Sequence, residues 1–259
     1  MRGESYELCM TNMLYIDGQW DAWSLYSILR QVNPAPYSAY LDFSLSPKGP
    51  KICCSSPERF LQGSLQGQLE AKPIKGTAKR DLSSRVKDEA AAYSLLNSEK
   101  DRAENLMIVD LLRNDLGSVC ESGSVHVPSL MQIETFATVH QMVSTIRGNR
   151  RKSLGIGQVI QSCFPGGSMT GAPKVRSMEI LDTLEEGPRG IYSGSIGYIS
   201  WNEVFDLNIV IRTAIVNDSG IMVGAGGAIV VQSDPKSELE EMKIKAEPIL
   251  HSISCCQNI

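Results

Sequence analysis

Apolar and polar residues alternate over seven short segments, and this alternation is typical of strands with two different faces. Val139, Gln141 and Val143, for example, share one face of a strand, while His140 and Met142 lie on the other. The predicted strands are residues 38–45, 51–55, 66–72, 136–147, 190–201, 206–216 and 220–224. Apolar residues recur at helical spacing in five further segments, which predicts helices at residues 21–32, 84–113, 156–164, 172–184 and 235–253.

The order of these elements indicates the fold class. Strands and helices do not alternate strictly, and several strands follow one another through short turns, as at residues 216–220. We therefore predict an α+β fold with large, mainly antiparallel sheets flanked by helices, rather than a doubly wound parallel sheet. No internal repeat or long Gly/Ser/Pro linker divides the chain, so we expect one catalytic domain over residues 1–259.

Composition and charge exclude several classes of protein. The 259 residues carry a formal net charge of −4 with a pI near 5.5, and basic residues cluster only at residues 147–152, which argues against nucleic-acid binding. No apolar run reaches the roughly 20 residues that span a bilayer, and the first residues lack the apolar core of a signal peptide. We therefore expect a cytoplasmic protein with no membrane partner, or a plastid protein if a transit peptide has been removed. Seven cysteines without a C-x-x-C motif predict neither a zinc site nor a disulfide framework.

A lysine framed by proline and glycine is the first candidate for chemistry. The segment Pro73-Ile74-Lys75-Gly76-Thr77 predicts a tight turn within a hairpin. In such a turn a lysine is most often a solvated surface charge. A buried amine, in contrast, loses its proton more readily, through desolvation or nearby cations, and then acts as a nucleophile. The turn by itself leaves both interpretations open.

Two helices each carry a pair of acidic residues three positions apart. Asp101 and Glu104 lie on one face of the predicted helix 84–113, and Glu238 and Glu241 do the same in the last helix. Each pair is compatible with an ordinary charged helix surface. Brought together, the two pairs would form an all-oxygen site suited to Mg²⁺, which can bridge protein carboxylates to the carboxylate of an anionic ligand.

Glycine-rich segments and one arginine are candidate contacts for anions. Residues 224–228 lie between two strand-like runs, where backbone amides can approach an anion or simply form a tight strand junction. Residues 164–174 form a second glycine-rich loop, which opens a helix but has the spacing of neither nucleotide-binding glycine motif. Arg212 interrupts an apolar strand and needs a carboxylate partner, which is either a structural acid or part of a substrate.

Several motifs, present in one order, resemble the chorismate-utilising enzymes. They are Ser56-Pro57-Glu58-Arg59-Phe60, the PIKGT segment at residues 73–77, DRAENLMIVDLLRND at residues 101–115, GGSMTGAPK at residues 166–174 and the two C-terminal glutamates. The resemblance spans the whole chain and implies the catalytic region common to anthranilate, isochorismate, salicylate and aminodeoxychorismate synthases. Aminodeoxychorismate synthases carry lysine in the PIKGT segment, whereas anthranilate synthases carry alanine there (PIAGT). This segment therefore resembles the aminodeoxychorismate synthases. Residues 3–9 look like the eukaryotic form.

The resemblance implies a reaction and its catalytic residues. Lys75 would be the nucleophile that attacks C2 of chorismate as the C4 hydroxyl departs, and Glu58 would be the general acid that protonates that hydroxyl. Ammonia would then add at C4 and expel the lysine, giving 4-amino-4-deoxychorismate for the biosynthesis of para-aminobenzoate and folate. Glu58 would return as a base in that second step.

The same resemblance implies a Mg²⁺ cofactor and a set of substrate contacts. Glu104 and Glu241 match magnesium ligands, with Asp101 and Glu238 in support. The substrate contacts would be Gly226, Gly227, Ala228 and Lys245 for the ring carboxylate, Tyr192 and Arg212 for the enolpyruvyl carboxylate, and Ser168 in the same pocket. Plain packing remains the alternative for Tyr192, and a turn position remains the alternative for Ser168.

Three features depart from the family. Gln141 stands where many members have the second histidine of a pair, and strand alternation places His140 on the opposite face, so we expect His140 to be structural. Glu7 occupies the position of the lysine base of isochorismate and salicylate synthases, which argues against addition of water at C2. Complete members carry a further N-terminal region, and the resemblance implies that this chain starts after it.

The sequence contains no recognisable glutamine amidotransferase domain. Ammonia is therefore expected from a glutamine amidotransferase subunit, from a fused domain or from solution. The main alternative within the family is anthranilate synthase component I, which forms anthranilate and pyruvate from the same substrate. An alternative of another class is a truncated, non-catalytic domain that binds chorismate or another subunit.

Overall fold

The computed structural model describes residues 3–136 and 139–257. The strands are β1 (Glu7–Asp17), β2 (Tyr37–Asp42), β3 (Lys51–Ser56), β4 (Arg59–Gly63), β5 (Gln68–Lys72), β6 (Ile74–Lys79), β7 (His126–Thr135), β8 (Val139–Asn149), β9 (Gly171–Ala172), β10 (Gly197–Ile199), β11 (Phe205–Asn208), β12 (Thr213–Asn217) and β13 (Gly220–Val230). The helices are α1 (Ala22–Val32), α2 (Arg85–Leu96), α3 (Glu99–Val119), α4 (Ile156–Cys163), α5 (Lys174–Leu184) and α6 (Pro235–Cys256), with a short 3₁₀ helix at Gly167–Met169. The mixture of helices and antiparallel sheets confirms the predicted α+β class. No helix in the described part of the chain is both long and apolar enough to cross a membrane.

The chain divides into two compact units, each built from separate stretches of sequence. Unit 1 comprises residues up to Glu58, Met169–Ile196 and residues from Asn208 onward. Unit 2 comprises Arg59–Ser168 and Gly197–Leu207. The extent of the catalytic domain, predicted as residues 1–259, stays a prediction.

Unit 1 is built on a six-stranded sheet in the order β2-β3-β12-β13-β1-β9. Strands β1 and β13 pair along their whole length, from Glu7 opposite Val230 to Asp17 opposite Gly220. Helices α1 and α6 pack together on this sheet, and their apolar faces meet those of β3, β12 and β13. This core contains Ala22, Leu25, Tyr26, Leu29, Cys53, Ala214, Val216, Ile221, Val223, Ile249 and Ile253.

Local signals in the sequence set the starts of α1 and α6. Asp21 caps α1 by accepting a hydrogen bond from the Ser24 N–H at 3.0 Å, and Asp234 caps α6 by accepting one from the Ser237 N–H at 2.9 Å. Pro235 occupies the first turn of α6, where a missing backbone N–H costs nothing. Both helices begin within one residue of the predicted position because capping depends only on near neighbours in the sequence.

Unit 2 is built on a seven-stranded sheet with the order β10-β11-β4-β5-β8-β6, in which β7 also pairs with β8. Strand β8 is the hub of this sheet, because β5, β6 and β7 each pair with part of it. Arg59 of β4 connects three strands, since it donates to Asp206 of β11 at 2.9 Å and to Glu70 of β5 at 2.7 Å. Helices α2 and α3 pack against β6 and β8.

The predicted helix 84–113 is two helices. Helix α2 ends at Leu96, and α3 begins after Ser98, whose hydroxyl accepts a hydrogen bond from the Asp101 N–H at 3.3 Å. Asparagine and serine side chains compete with the helical backbone for hydrogen bonds, so Asn97 and Ser98 end one helix and start the next. Helix α3 also runs beyond the predicted end, to Val119.

Two of the predicted strands form only in part, and both contain residues with positive φ. The predicted strand 206–216 is interrupted between β11 and β12, where Arg212 has a φ of 49°. The predicted strand 190–201 is mostly turn, since Gly190 and Ser193 have φ values of 59° and 61°, and only β10 remains extended and paired. At these positions the backbone leaves the extended conformation of a strand and the pairing stops, so the alternation of residue types was misleading in both places.

Strands β1, β4, β6, β7 and β9 were not predicted, and β13 is longer than the predicted strand 220–224. Strands β6 and β7 both pair with β8 through register shifts, which disturb the alternation that a sequence pattern detects. The predicted strand 136–147 corresponds to β8, and its Ala137 and Thr138 lie outside the described residues. The remaining strand predictions correspond to β2, β3 and β5 with small shifts at their ends.

A buried cluster around Asp88 connects α2 to the sheet of unit 2. The Asp88 carboxylate accepts hydrogen bonds from Arg80 at 2.7 Å and from His140 Nε2 at 2.9 Å, and His140 Nδ1 lies 2.9 Å from the Thr135 hydroxyl. The hydrogen bonds from Arg80 hold the pKa of Asp88 well below its usual range, with further help from His140. These contacts give His140 the structural role predicted for it.

We expect Asp88→Asn to lower stability at neutral pH, by an amount that shrinks in acid. Because the folded-state pKa of Asp88 lies below the unfolded value of about 3.9, the charged carboxylate stabilises the fold above that pH. This contribution is lost as the pH falls through the folded-state pKa. The melting temperatures of the wild type and the variant should therefore converge below about pH 4. A gap that stays constant down to about pH 3 would contradict this role for Asp88.

Candidate active site

Lys75 lies in strand β6, which corrects the predicted tight turn. Ile74 pairs with Val143 and Thr77 pairs with Gln141, so β6 has one residue more than β8 over this stretch. Such an extra residue forms a β-bulge, which re-aims the side chains around it. Lys75 is half-buried at this bulge, so it is not the fully solvated charge that a surface turn would present.

Glycine is required next to Lys75 for two reasons. Gly76 has a φ of 86°, a conformation that residues with a side chain rarely adopt. A Cβ at this position would also lie 2.9 Å from the carboxylate of Asp101 and 2.9 Å from Leu95 Cδ1. Asp101 of α3 therefore packs directly against the backbone beside Lys75, and the glycine of PIKGT is explained by that close approach.

Glu104, the second residue of the acidic pair in α3, is largely buried. The side chain of Glu104 is 12% exposed, and one of its oxygens lies 3.8 Å from Lys100 Nζ. Ser168 lies in the 3₁₀ helix, where its Oγ is buried and has no hydrogen-bond partner among the described residues. The neighbouring Gly167 packs against Leu111 of α3. An unpaired buried hydroxyl costs free energy, so Ser168 is a position at which a ligand would supply the missing hydrogen bond.

In unit 1, Glu58 follows strand β3 and its backbone is held on both sides. Its carbonyl accepts from the Ile209 N–H at 3.0 Å, and its N–H donates to Ser56 Oγ at 3.3 Å. Burial lowers the pKa of Arg212, and the charge of the nearby Glu58 opposes that shift. Glu58 is thus one acidic neighbour of Arg212, and a second carboxylate from a substrate stays a prediction.

The glycine segment 224–228 lies inside β13, which corrects its predicted position between two strands. Gly226 is closely packed on β1, since a Cβ there would lie 2.3 Å from the Met10 carbonyl oxygen. Gly227 faces α6 instead, and a Cβ there would lie 3.6 Å from a Glu238 oxygen and 3.7 Å from Lys245 Nζ. Glycine is therefore needed at these two positions for different reasons: Gly226 allows close strand pairing, and Gly227 leaves space beside charged groups.

Helix α6 supplies the charges beside this strip of backbone. Lys245 Nζ donates to the Gly226 carbonyl at 3.2 Å and forms an ion pair with Glu241 at 2.8 Å. Glu238 is 7% exposed and accepts a hydrogen bond from Ser233 Oγ at 2.7 Å. Ala228, the last small residue of the segment, pairs with β1 and is buried. One amine and two carboxylates therefore lie on the helix that covers Gly227.

Tyr192 is almost fully buried and packs on β13. A Cβ on Gly224 would lie 2.2 Å from Tyr192 Cγ, so the ring explains why glycine occupies that position. Burial raises the pKa of the Tyr192 phenol, so its hydroxyl stays protonated at neutral pH and can donate a hydrogen bond. Packing accounts for most of this side chain, and its contact with a substrate stays a prediction.

An ion pair that was not predicted holds the segment before Tyr192. Arg189 donates to the two oxygens of Glu185 at 2.8 and 2.7 Å, and to the Cys9 carbonyl of β1 at 2.8 Å. Thr11 donates its N–H and its hydroxyl to the same carboxylate at 2.9 and 2.8 Å. Burial alone would raise the pKa of Glu185, but these hydrogen bonds hold it below the ordinary value. The only signal in the sequence is a Glu and an Arg four residues apart, which is common on helices.

No three histidine, cysteine, aspartate or glutamate side chains within residues 3–136 and 139–257 lie close enough together to hold a metal ion. Each unit supplies one acidic pair, Asp101 with Glu104 and Glu238 with Glu241. Carboxylate oxygens are the donors that Mg²⁺ prefers, and this ion usually keeps several waters or substrate oxygens beside one or two carboxylates. The donor chemistry therefore fits Mg²⁺, and the magnesium assignment stays a prediction.

The two residues that depart from the family pattern are both buried. Glu7 is 1% exposed in β1, where it lies opposite Val230 and Ala172 of the neighbouring strands. Gln141 is 4% exposed and pairs with Thr77, so it borders the bulge that carries Lys75. The roles expected from these two departures stay predictions.

Comparison with known proteins identifies the family. The family model described as "chorismate binding enzyme" matches residues 1–251. The probable aminodeoxychorismate synthase, chloroplastic, of Oryza sativa subsp. japonica is 57% identical over 259 residues, which are 99% of this chain and 29% of that protein. Anthranilate synthase component 1 of Aquifex aeolicus is 42% identical over 234 residues, which are 90% of this chain and 46% of that protein.

Solved structures agree with this identification. Anthranilate synthase component I from Streptococcus pneumoniae TIGR4 superimposes with a TM-score of 0.85 at 32% sequence identity, over 95% of this chain and 53% of that chain. The chain thus spans between 29% and 53% of the length of these three proteins. Because the family model matches nearly every residue, the chain belongs to the family of chorismate binding enzymes.

Proposed function

We propose that the chain is an aminodeoxychorismate synthase, which converts chorismate and ammonia to 4-amino-4-deoxychorismate. The observation that carries this proposal is Lys75, a half-buried lysine at a β-bulge where Gly76 and Asp101 leave the backbone little freedom. A nucleophile must be held in one place to gain from proximity, and a bulge fixed in this way does so. The rice relative that bears this enzyme name, at 57% identity, supports the assignment.

In the proposed reaction, the neutral amine of Lys75 attacks C2 of chorismate, and the two conjugated ring double bonds shift as the C4 oxygen departs. Glu58 donates a proton to that oxygen, which leaves as water. Ammonia then attacks C4, both ring double bonds shift back, and the C2–N bond to Lys75 breaks. Glu58, now a carboxylate, removes the extra proton from the new amine. The balance is chorismate and ammonia in, and 4-amino-4-deoxychorismate and water out.

Binding of the substrate in this proposal uses its two carboxylates. Lys245 and the backbone at Gly226, Gly227 and Ala228 would meet the ring carboxylate, while Tyr192 and Arg212 would meet the enolpyruvyl carboxylate. Ser168 would donate to the ligand through its unpaired Oγ. Glu104 and Glu241, supported by Asp101 and Glu238, would hold Mg²⁺, which supplies positive charge that neutralises and orients a ligand carboxylate.

The proposal is tested by incubating the protein with chorismate, Mg²⁺ and ammonium at mildly alkaline pH. The product is converted by aminodeoxychorismate lyase and identified by mass spectrometry. Formation of 4-aminobenzoate is the expected result. Formation of anthranilate without the lyase would establish the second candidate, which the 42% identity to an anthranilate synthase component 1 supports. If chorismate is bound but not converted, the remaining interpretation is a non-catalytic domain that binds chorismate.

We also propose that ammonia reaches this chain from glutamine through a glutamine amidotransferase subunit or fused domain. The word "component" in the names of the Aquifex aeolicus and Streptococcus pneumoniae relatives supports a second part. With glutamine in place of ammonium, the chain alone is expected to make no product, and an added glutaminase component is expected to restore it. Product from glutamine by the purified chain alone would contradict this proposal.

We expect Gly227→Ala to weaken chorismate binding about tenfold without a loss of stability. The new methyl group would make only ordinary contacts with Glu238 and Lys245, so the fold accepts it, yet it fills the space that a ligand carboxylate would use. Gly226→Ala is the matched contrast, because its Cβ would collide with the Met10 carbonyl, and we expect a lower melting temperature. Calorimetric titration with chorismate and melting curves measure both effects. Unchanged binding by Gly227→Ala would remove this segment from the substrate site.

A further inference from the structure

One buried serine makes three hydrogen bonds to three different parts of unit 2. The backbone N–H of Ser144 in β8 donates to the Pro73 carbonyl at 3.3 Å, immediately before β6. Its hydroxyl donates to Asn105 Oδ1 of α3 and accepts from the Met131 N–H of β7 at 2.9 Å. Ser144 and Asn105 are both 0% exposed. Each of these polar groups therefore depends on the others, because no water reaches them.

The segments that meet at Ser144 carry the residues proposed for chemistry. Pro73 lies two positions before Lys75, and Asn105 directly follows Glu104 and lies one helical turn after Asp101. At the bulge the ladder between β6 and β8 is irregular, so Lys75 has less support from strand pairing than a residue in a regular strand. The side of α3 that carries Asp101 packs on the same bulge at Gly76.

Two further observations show that this junction is more specific than ordinary core packing. Met131 has a φ of 54° at a register shift of β7, and the bond to Ser144 holds its N–H in that unfavourable backbone conformation. Asn105 keeps a fully buried amide in a helix face that could be apolar, and its Nδ2 has no partner among the described residues. An apolar residue at position 105 would avoid the unpaired buried amide if burial were the only requirement.

We infer that Ser144 and Asn105 are positioning residues, which fix the Lys75 bulge of β6 against the acidic turn of α3. The hydroxyl of Ser144 sets the rotation of α3 about its axis through Asn105, and the backbone N–H of the same residue holds the start of β6 through the Pro73 carbonyl. This inference rests on the proposed function, because that function assigns the nucleophile to Lys75 and Mg²⁺ binding to Asp101 and Glu104. Neither residue touches the substrate in this role, and a small displacement of a reacting group is sufficient to lower the rate.

The test compares Ser144→Ala, Asn105→Ala and the double variant with Ile146→Val. Ile146 is a matched control, because it is fully buried on the same face of β8 but makes no side-chain hydrogen bond. Melting temperature, kcat per folded molecule, KM for chorismate, calorimetric Mg²⁺ affinity and hydrogen exchange of the amides at Lys75, Gly76 and Thr77 are measured for each.

For Ser144→Ala we expect kcat to fall about tenfold to a hundredfold with little change in KM, together with weaker Mg²⁺ binding and faster exchange of the three amides. Ile146→Val should lower the melting temperature without these changes. The double variant should lose no more than the larger single loss, because both changes break one connection. If Ser144→Ala matches Ile146→Val in every measurement, the junction is packing alone and the inference is overturned.

The design separates this inference from the proposed function. If the wild type forms no 4-amino-4-deoxychorismate, the proposed function fails, and amide exchange at Lys75 to Thr77 still decides whether Ser144 fixes the bulge. Faster exchange in Ser144→Ala than in Ile146→Val supports the positioning role, and equal exchange overturns it. The remaining case is an active wild type while Ser144→Ala keeps wild-type kcat and wild-type amide exchange. In that case the proposed function stands, and the positioning role of Ser144 and Asn105 is overturned.

Discussion

The Lys75→Ala variant is expected to form 4-amino-4-deoxychorismate at least about 10³-fold more slowly than the wild type, even with saturating ammonium. The reason is that, in the proposed mechanism, the amine forms the bond at C2 that lets the C4 hydroxyl leave, and alanine removes that amine entirely. Nearby lysines do not replace it, since Lys72 forms an ion pair with Glu134 at 2.7 Å and Lys79 is exposed at the end of β6. The coupled assay for 4-aminobenzoate measures the rate.

Two companion variants separate nucleophilic chemistry from loss of charge. Lys75→Arg keeps a positive side chain but not a nucleophilic amine, so it should be about as inactive as Lys75→Ala. Lys79→Ala removes an exposed lysine from the same strand and should leave the rate unchanged. A wild-type rate in Lys75→Ala would contradict the covalent mechanism. If Lys75→Arg is substantially active and Lys75→Ala is not, the role of Lys75 is electrostatic rather than nucleophilic.

The Arg189→Met variant is expected to lower the free energy of unfolding by about 3 kcal/mol. Arg189 and Glu185 are 16% and 11% exposed at their side chains, so the carboxylate that remains would be left largely buried without its cation. The carbonyls of Cys9 and Met169 would also lose a charged donor. Urea denaturation at neutral pH measures the loss.

The matched control removes the charge that Arg189→Met leaves behind. In the double variant with Glu185→Gln, the amide oxygen still accepts from the N–H and hydroxyl of Thr11, but no buried charge remains. We therefore expect the double variant to be more stable than Arg189→Met alone. If adding Glu185→Gln instead lowers stability further, the cost of Arg189→Met comes from lost packing and carbonyl contacts rather than from the unpaired carboxylate.

Local signals predicted the helices better than the strands. Helices α1, α4, α5 and α6 lie close to their predicted positions, because caps and helical periodicity depend on residues within a few positions of one another. The strands were less predictable, because pairing partners are distant in the sequence and bulges shift the alternation. Strand β6 shows this clearly, since Pro73 and Gly76 indicated a turn at residues 73–77, whereas Gly76 lies within a bulged strand.

The candidate site was predicted in its residue types but not in its supports. Motifs and charge spacing in the sequence predicted Lys75, Glu58 and the acidic pairs as candidate site residues. The contact of Tyr192 with Gly224 was not predictable, because it joins a turn to a strand some thirty positions away along the chain. The junction at Ser144 was missed for the same reason, since serine and asparagine in a sequence carry no sign that they will be buried together.

By itself, the sequence determined the α+β class, most helix positions and the chemical groups of the candidate site. These depend on local periodicity, on capping residues and on the identity of short motifs. Only the tertiary structure decided that Lys75 lies on a bulge, that Gly226 and Gly227 serve different purposes and that Arg189 pairs with a buried Glu185. The physical reason is that burial, strand register and hydrogen-bond satisfaction are set by residues far apart in the chain, so no local pattern contains them.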